Sequence, residues 1–150
     1  MEFDLLIESD KSASEYADLL RSLLEEILHI EILQKKDSDT ISIGCTFFTM
    51  WIELEDDFGL IMAKDTYDFN ANIETRIQVF GKTYDKGLKI LFQLLKSLSD
   101  YDDNLLLEEN GSFIVLKKVG NEFVSEVLST QRAEYPFSIL KAEVKFTTME

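Results

Sequence analysis

The sequence predicts an α+β domain: a mainly antiparallel sheet packed against two amphipathic helices, at about residues 13–28 and 84–98, with a C-terminal β-meander. Three observations predict it. Two stretches repeat apolar residues at three and four, the period of a helix with one buried side. Several others alternate apolar and polar, the period of a half-buried strand. Asn110-Gly111 and Gly120-Asn121 then punctuate the C-terminal alternating segments as tight turns do. All 150 residues are assigned to a single domain, since no Gly-, Ser- or Pro-rich linker and no repeat divides them.

Glu2 to Ile7 sets Phe3, Leu5 and Ile7 on one side and Glu2, Asp4 and Leu6 on the other, a short strand. Ser12 and Glu15 form a capping box that opens the first helix. Tyr16, Leu20, Leu23, Leu24 and Ile27 supply its apolar stripe. Three β-type segments follow: one on Ile30 and Ile32, one on Ile41 and Ile43, and TFFTMWIEL with Phe48, Met50, Ile52 and Leu54 on one side. QKKDSDT reads as the turn between the first two. After the acidic loop EDDFG, GLIMA is expected to be a partner strand and residues 65–72 a loop. Ile73, Thr75, Ile77 and Val79 alternate in the next strand, which Gly81 ends.

Thr83 is placed to cap the second helix, with Asp85 in its first turn. Tyr84, Leu88, Leu91, Phe92, Leu95 and Leu98 make its stripe. Gly87 weakens that helix by roughly 1 kcal/mol relative to alanine. The meander runs from Leu105 to Glu109, from Ser112 to Val119 and from Glu122 to Val127. Past Pro136, alternation of Leu140, Ala142, Val144 and Phe146 predicts a last strand.

Apolar residues make up 45% of the chain, enough for a packed core, so a disordered chain is not expected. Asp and Glu number 29 against 15 Lys and Arg, a formal net charge of −14. That field repels nucleic acid and anionic membrane, and no basic stripe offsets it; it attracts a basic protein and speeds its association. Acidity for solubility alone is the plain alternative. The N-terminal MEFDLLIESDKSAS has no basic region of the kind that opens a signal peptide. No apolar run approaches the roughly 20 residues that span a bilayer. With Cys45 the only cysteine, and hence no intramolecular disulfide, the expected setting is the cytoplasm.

Familiar chemistries fail one by one. A calcium loop starting at Asp100 has acceptors at Asp100, Asp102 and Asn104, but Leu105 stands where glycine must turn the chain and Gly111 where a bidentate glutamate must close it. Histidine-assisted nucleophilic catalysis has only His29, expected at a helix end. Cys45 has no basic neighbour to activate it. Zinc ligands and phosphate-binding glycine motifs are missing. With so many acids, a carboxylate pair at catalytic spacing carries no information. The expectation is therefore a protein that is not an enzyme and needs no cofactor or metal.

What remains is surface. Glu53, Glu55, Asp56 and Asp57 form one acidic knot and Asp100, Asp102 and Asp103 a second. Trp51 points away from Phe48, Met50, Ile52 and Leu54, so it is either an aromatic anchor beside the first knot or buried on the far side of the sheet. An anchor with an acidic rim suits a basic partner, and these eight residues are the candidate partner-binding set. The alternative is two solvated loops.

Residues 1 to 125 resemble a family of small bacterial immunity proteins, those of the Sit toxin–immunity systems of kin discrimination. EFDLLIES with its capped helix, the alternating IETRIQVF, and DNLLLEENGSFIVLKKVGNEFV carry the resemblance. It implies a non-enzymatic cytoplasmic protein that binds and neutralises a cognate toxin. A small acidic adaptor or secretion-chaperone-like domain is the other interaction class that fits.

Overall fold

A computed structural model of the chain describes residues 1–54, 57–101 and 104–147. The strands are β1 (Glu2–Glu8), β2 (Leu33–Lys36), β3 (Thr40–Gly44), β4 (Phe48–Glu53), β5 (Ile73–Val79), β6 (Asn104–Glu109), β7 (Phe113–Val119), β8 (Glu122–Ser125) and β9 (Val144–Phe146). The helices are α1 (Ala13–Leu28), α2 (Phe58–Tyr67) and α3 (Tyr84–Leu98). The nine strands form one sheet in the order β2-β3-β4-β5-β1-β6-β7-β8-β9, antiparallel except for the β8–β9 pair. The α+β class is as the sequence predicts.

β1 sits mid-sheet between β5 and β6, joining the β2-β3-β4 meander and β5 to the β6-β7-β8 meander. Phe3, Leu5 and Ile7 face α1 and α3 in the main core, with Ile41, Ile43, Met50, Ile52, Ile77 and Leu107 beside them. The stripes of α1 and α3 close that core from above: Tyr16, Leu20 and Leu24 from one, Leu88, Leu91, Phe92 and Leu95 from the other. Burying each such side chain contributes roughly 1.5–3 kcal/mol. The capping box of α1 forms: the Glu15 amide donates to Ser12 Oγ at 3.1 Å and the Ser12 amide to Glu15 Oε1 at 3.0 Å. His29 ends the helix in the left-handed conformation, φ 57°, and its amide donates to the Glu25 carbonyl.

The hairpin at Asn110-Gly111 is a tight turn with both residues at positive φ (48° and 71°), closed by the Ser112 amide donating to the Glu109 carbonyl at 2.8 Å. A bulge between Leu107 and Glu108 leaves Val115 without a partner and turns Ile114 to the opposite side of the sheet from Leu116, where it packs with Leu106.

Gly87 is a matter of approach. A methyl group there would meet Val79 Cγ1 at 2.9 Å and the Phe47 carbonyl oxygen at 3.3 Å. Gly87→Ala gains roughly 1 kcal/mol of helix propensity and loses roughly 1–3 kcal/mol to overpacking. The expected net effect is a loss of about 1 kcal/mol, read from the denaturant midpoint; a stabilised variant would show that the helix can back away from the sheet.

Several expectations need correction. The strand expected on Ile30 and Ile32 lies later, at Leu33–Lys36. Ile32 is buried, and its amide is held by Glu25 Oε2 at 3.0 Å instead of by a ladder. As an edge strand β2 pairs only with β3, and its own four residues stay out of the core, so no alternation marks it. GLIMA lies in helix α2, not a strand, and the helix runs on to Tyr67, so the loop expected at 65–72 begins only at Asp68. Phe58, Leu60, Ile61, Met62 and Ala63 are apolar around the whole helix, so no stripe betrays the 3.6 period. Thr83 makes no capping bond; Gly81–Thr83 is a 3-10 turn that runs into α3. β8 stops at Ser125, short of Val127.

The tail strand is confined to Val144–Phe146 and runs parallel to β8. Before it, Ser129–Glu134 and Phe137–Leu140 form 3-10 turns, and Lys141 at φ 51° breaks the extended run. The tail docks on its own domain. Phe137 meets Phe92 edge-on at 5.6 Å and Phe146 at 5.2 Å, and Tyr135 donates to Glu109 Oε1 at 2.6 Å.

Candidate partner-binding face

Helices α1 and α3 cover one side of the sheet; α2 covers only part of the other. Under α2 lies a second, smaller cluster of Leu6, Ala63, Phe69, Leu106 and Ile114. Beside it the sheet is open, and polar side chains stand where an alternating strand must put them.

The register fixes which ones. Ser42 pairs with Trp51, Trp51 with Arg76, Arg76 with Asp4, and Asp4 with Glu108, one continuous row across five strands. Paired residues on neighbouring strands stand roughly 4.5–5.5 Å apart, so the row is a single surface. Two hollows lie along it. One, of about 370 Å³, is lined by Trp51, Glu53, Arg76, Asp4, Gln78 and Glu2, among others. The second, of about 260 Å³, lies between the sheet and α2; Asp4, Arg76, Glu74, Glu108, Phe58 and Met62 line it. Asp4 and Arg76 border both, so the hollows make one groove.

Arg76 is the cation of this row. Its Nε is 3.6 Å from Glu53 Oε1 and from Glu74 Oε1. Those distances exceed a good hydrogen bond, so attraction, not directional bonding, holds a guanidinium whose side chain is 59% exposed. Glu74 is buried, its carboxylate set against the first turn of α2. A Cβ at Gly59 would overlap that carboxylate, so glycine is what admits it. A carboxylate is favoured there by the positive end of the helix dipole.

Asp4 carries the electrostatic tension. Burial first, then the facing Glu108 carboxylate, push its pKa up, and Arg76 offsets this only in part. Burial first, then the neighbouring Glu108 carboxylate, push the Tyr67 phenol well above its ordinary range. The groove thus holds negative charge that Arg76 does not neutralise. A guanidinium or ammonium from outside would relieve it.

A raised carboxyl pKa means that the folded state binds the proton more tightly than the unfolded chain. Asp4 therefore lowers stability as pH rises through and above its folded pKa, and that cost vanishes once pH falls below the ordinary carboxylate range. Asp4→Asn is expected to stabilise the fold at pH 7 by about 0.5 kcal/mol, the scale of a like-charged pair facing across strands. The gain should disappear near pH 3, and thermal melts of both proteins at the two pH values check it.

The candidate residues divide. Trp51 is half-buried and stands in the groove, on the side of β4 away from Phe48, Met50 and Ile52. Glu53 lines the same groove. Asp57 is exposed at the start of α2, where its side chain makes no capping bond. Glu55, Asp56, Asp102 and Asp103 lie outside the described residues. Asp100 is exposed at the end of α3 and lines neither hollow. The chain matches no protein-family model, no characterised protein and no solved structure with which it was compared.

Sequence reasoning missed Asp4, Glu74, Arg76 and Glu108. Asp4 and Arg76 fall on the polar side of strands that were read correctly, so the signal was present. What it lacked was the pairing of β1 with β5 and β6, which turns separate polar positions into a row. Among the described residues no group of three or more His, Cys, Asp or Glu is placed to hold a metal ion, and no helix is long and apolar enough to cross a membrane.

Proposed function

We propose that the protein is a non-enzymatic immunity protein of the cytoplasm, which binds a basic toxin and neutralises it by occlusion. The row Trp51–Arg76–Asp4–Glu108 carries this reading: an aromatic wall and an under-neutralised acidic floor in one groove. The resemblance to Sit-type immunity proteins implies the same role. A net charge of −14 supports fast capture, because complementary fields raise association to roughly 10⁸–10⁹ M⁻¹s⁻¹ at low salt. If the toxin acts on nucleic acid, the carboxylates occupy its phosphate-binding surface.

The alternative, an acidic adaptor or secretion-chaperone-like domain, draws on the exposed apolar residues of α2. A competition assay separates the two. A parent strain deleted for this gene should be killed by contact with the intact parent and rescued by a plasmid copy, but not by a copy carrying Trp51→Ala and Glu53→Lys. Survival of the deletion strain at parity with its parent would contradict immunity and favour the adaptor.

A further inference from the structure

α2 is an unusual surface helix. Its inner side rests Ala63, Leu60 and Tyr67 on the smaller core cluster. Its outer side carries Phe58, Ile61 and Met62, spaced at three and four and 65%, 52% and 45% exposed. A surface helix normally turns polar residues outward. A contiguous apolar ridge with a polar rim marks an interaction site more often than chance exposure does. Phe and Met are also enriched in such sites, the first as a rigid anchor and the second as an adaptable one.

The rim says what would sit there. Asp57 and Asp65 are exposed on the same helix, and its only cation, Lys64, is engaged by Asp68 at 2.6 Å. On the sheet side, Phe58 and Met62 share a hollow with Asp4 and Glu108. We infer that this ridge is the docking site for a basic amphipathic segment of the partner, whose apolar residues pack on Phe58, Ile61 and Met62 while flanking lysines or arginines reach into the groove. The inference rests on the proposed binding role and adds that apolar contact on α2, not charge alone, sets its affinity. The most damaging changes should therefore lie on α2 beside Trp51, and not in the loop around Asp100.

A 14-residue peptide of lysine and leucine at helical spacing is the probe, with a control in which serine replaces every leucine. Backbone amide shifts are followed in the ¹⁵N-labelled full chain. The leucine peptide should perturb residues 58–67 and the groove residues Asp4 and Arg76. Phe58→Ser with Met62→Ser, both exposed positions, should keep the unfolding midpoint and weaken the leucine peptide at least tenfold. The serine peptide should bind the natural protein at least tenfold more weakly than the leucine peptide does. Equal binding of the two peptides, or indifference to the double substitution, would overturn the ridge and leave the charge-based reading standing. Perturbations away from both α2 and the groove would overturn both.

Discussion

Trp51→Ala is expected to weaken partner binding by roughly 30- to 1000-fold, the 2–4 kcal/mol of a hot-spot aromatic, while costing the fold only about 1 kcal/mol. The asymmetry follows from where the indole stands. Its neighbours along β4, Met50 and Ile52, are fully buried in the main core, whereas Trp51 faces the open side and walls the groove above Arg76. Truncation removes little core packing. It does remove the apolar wall that would exclude water from an incoming cation, and a cation over an indole face gains a further 0.5–2 kcal/mol. Calorimetric binding and thermal melts on the same preparation check it. A drop in stability that matches the drop in binding would mean that Trp51 is a core residue.

Phe69→Ala is expected to have the largest effect on stability of any change outside the main core, about 3–4 kcal/mol. α2 has ten residues, too few to be stable alone in water. Its hold on the sheet is the small cluster in which Phe69 lies almost fully buried, with Leu6, Leu106 and Ile114 beneath. The chain places Phe69 there by a left-handed Asp68, φ 53°, after which the Phe69 amide donates back to the Ala63 carbonyl at 3.3 Å. Emptying that position should loosen α2 before the main core yields. Hydrogen exchange of residues 58–67 should then accelerate by far more than that of α1 or α3. Equal acceleration throughout would show that the two sides of the sheet unfold as one unit.

How much of this was legible depends on whether an element announces itself by period. α1 and α3 did, because each buries one stripe; so did β1, β4 and β5, whose alternation survives mid-sheet. The Asn110-Gly111 turn was legible because few residues other than glycine and asparagine accept positive φ at both positions. α2 was not, since a helix apolar on two sides mimics a short buried strand in composition. β2 was not either, lying at a sheet edge where pairing constrains few side chains; the tail was legible only in its last strand, while the turns before it are held by Phe137, Tyr135 and Arg132 through contacts beyond local sequence. The same limit applied to the site. Trp51 and Glu53 were readable as an aromatic beside acids, but Asp4, Arg76 and Glu108 became a site only through strand order.

Capture of the tagged protein from its parent-cell lysate, beside a Trp51→Ala/Glu53→Lys variant and at two salt concentrations, tests the central claim most directly. The expected result is one stoichiometric basic protein held by the natural chain at low salt, released as salt rises, and absent from the variant. A stoichiometric partner that both proteins hold equally, indifferent to salt, would contradict it.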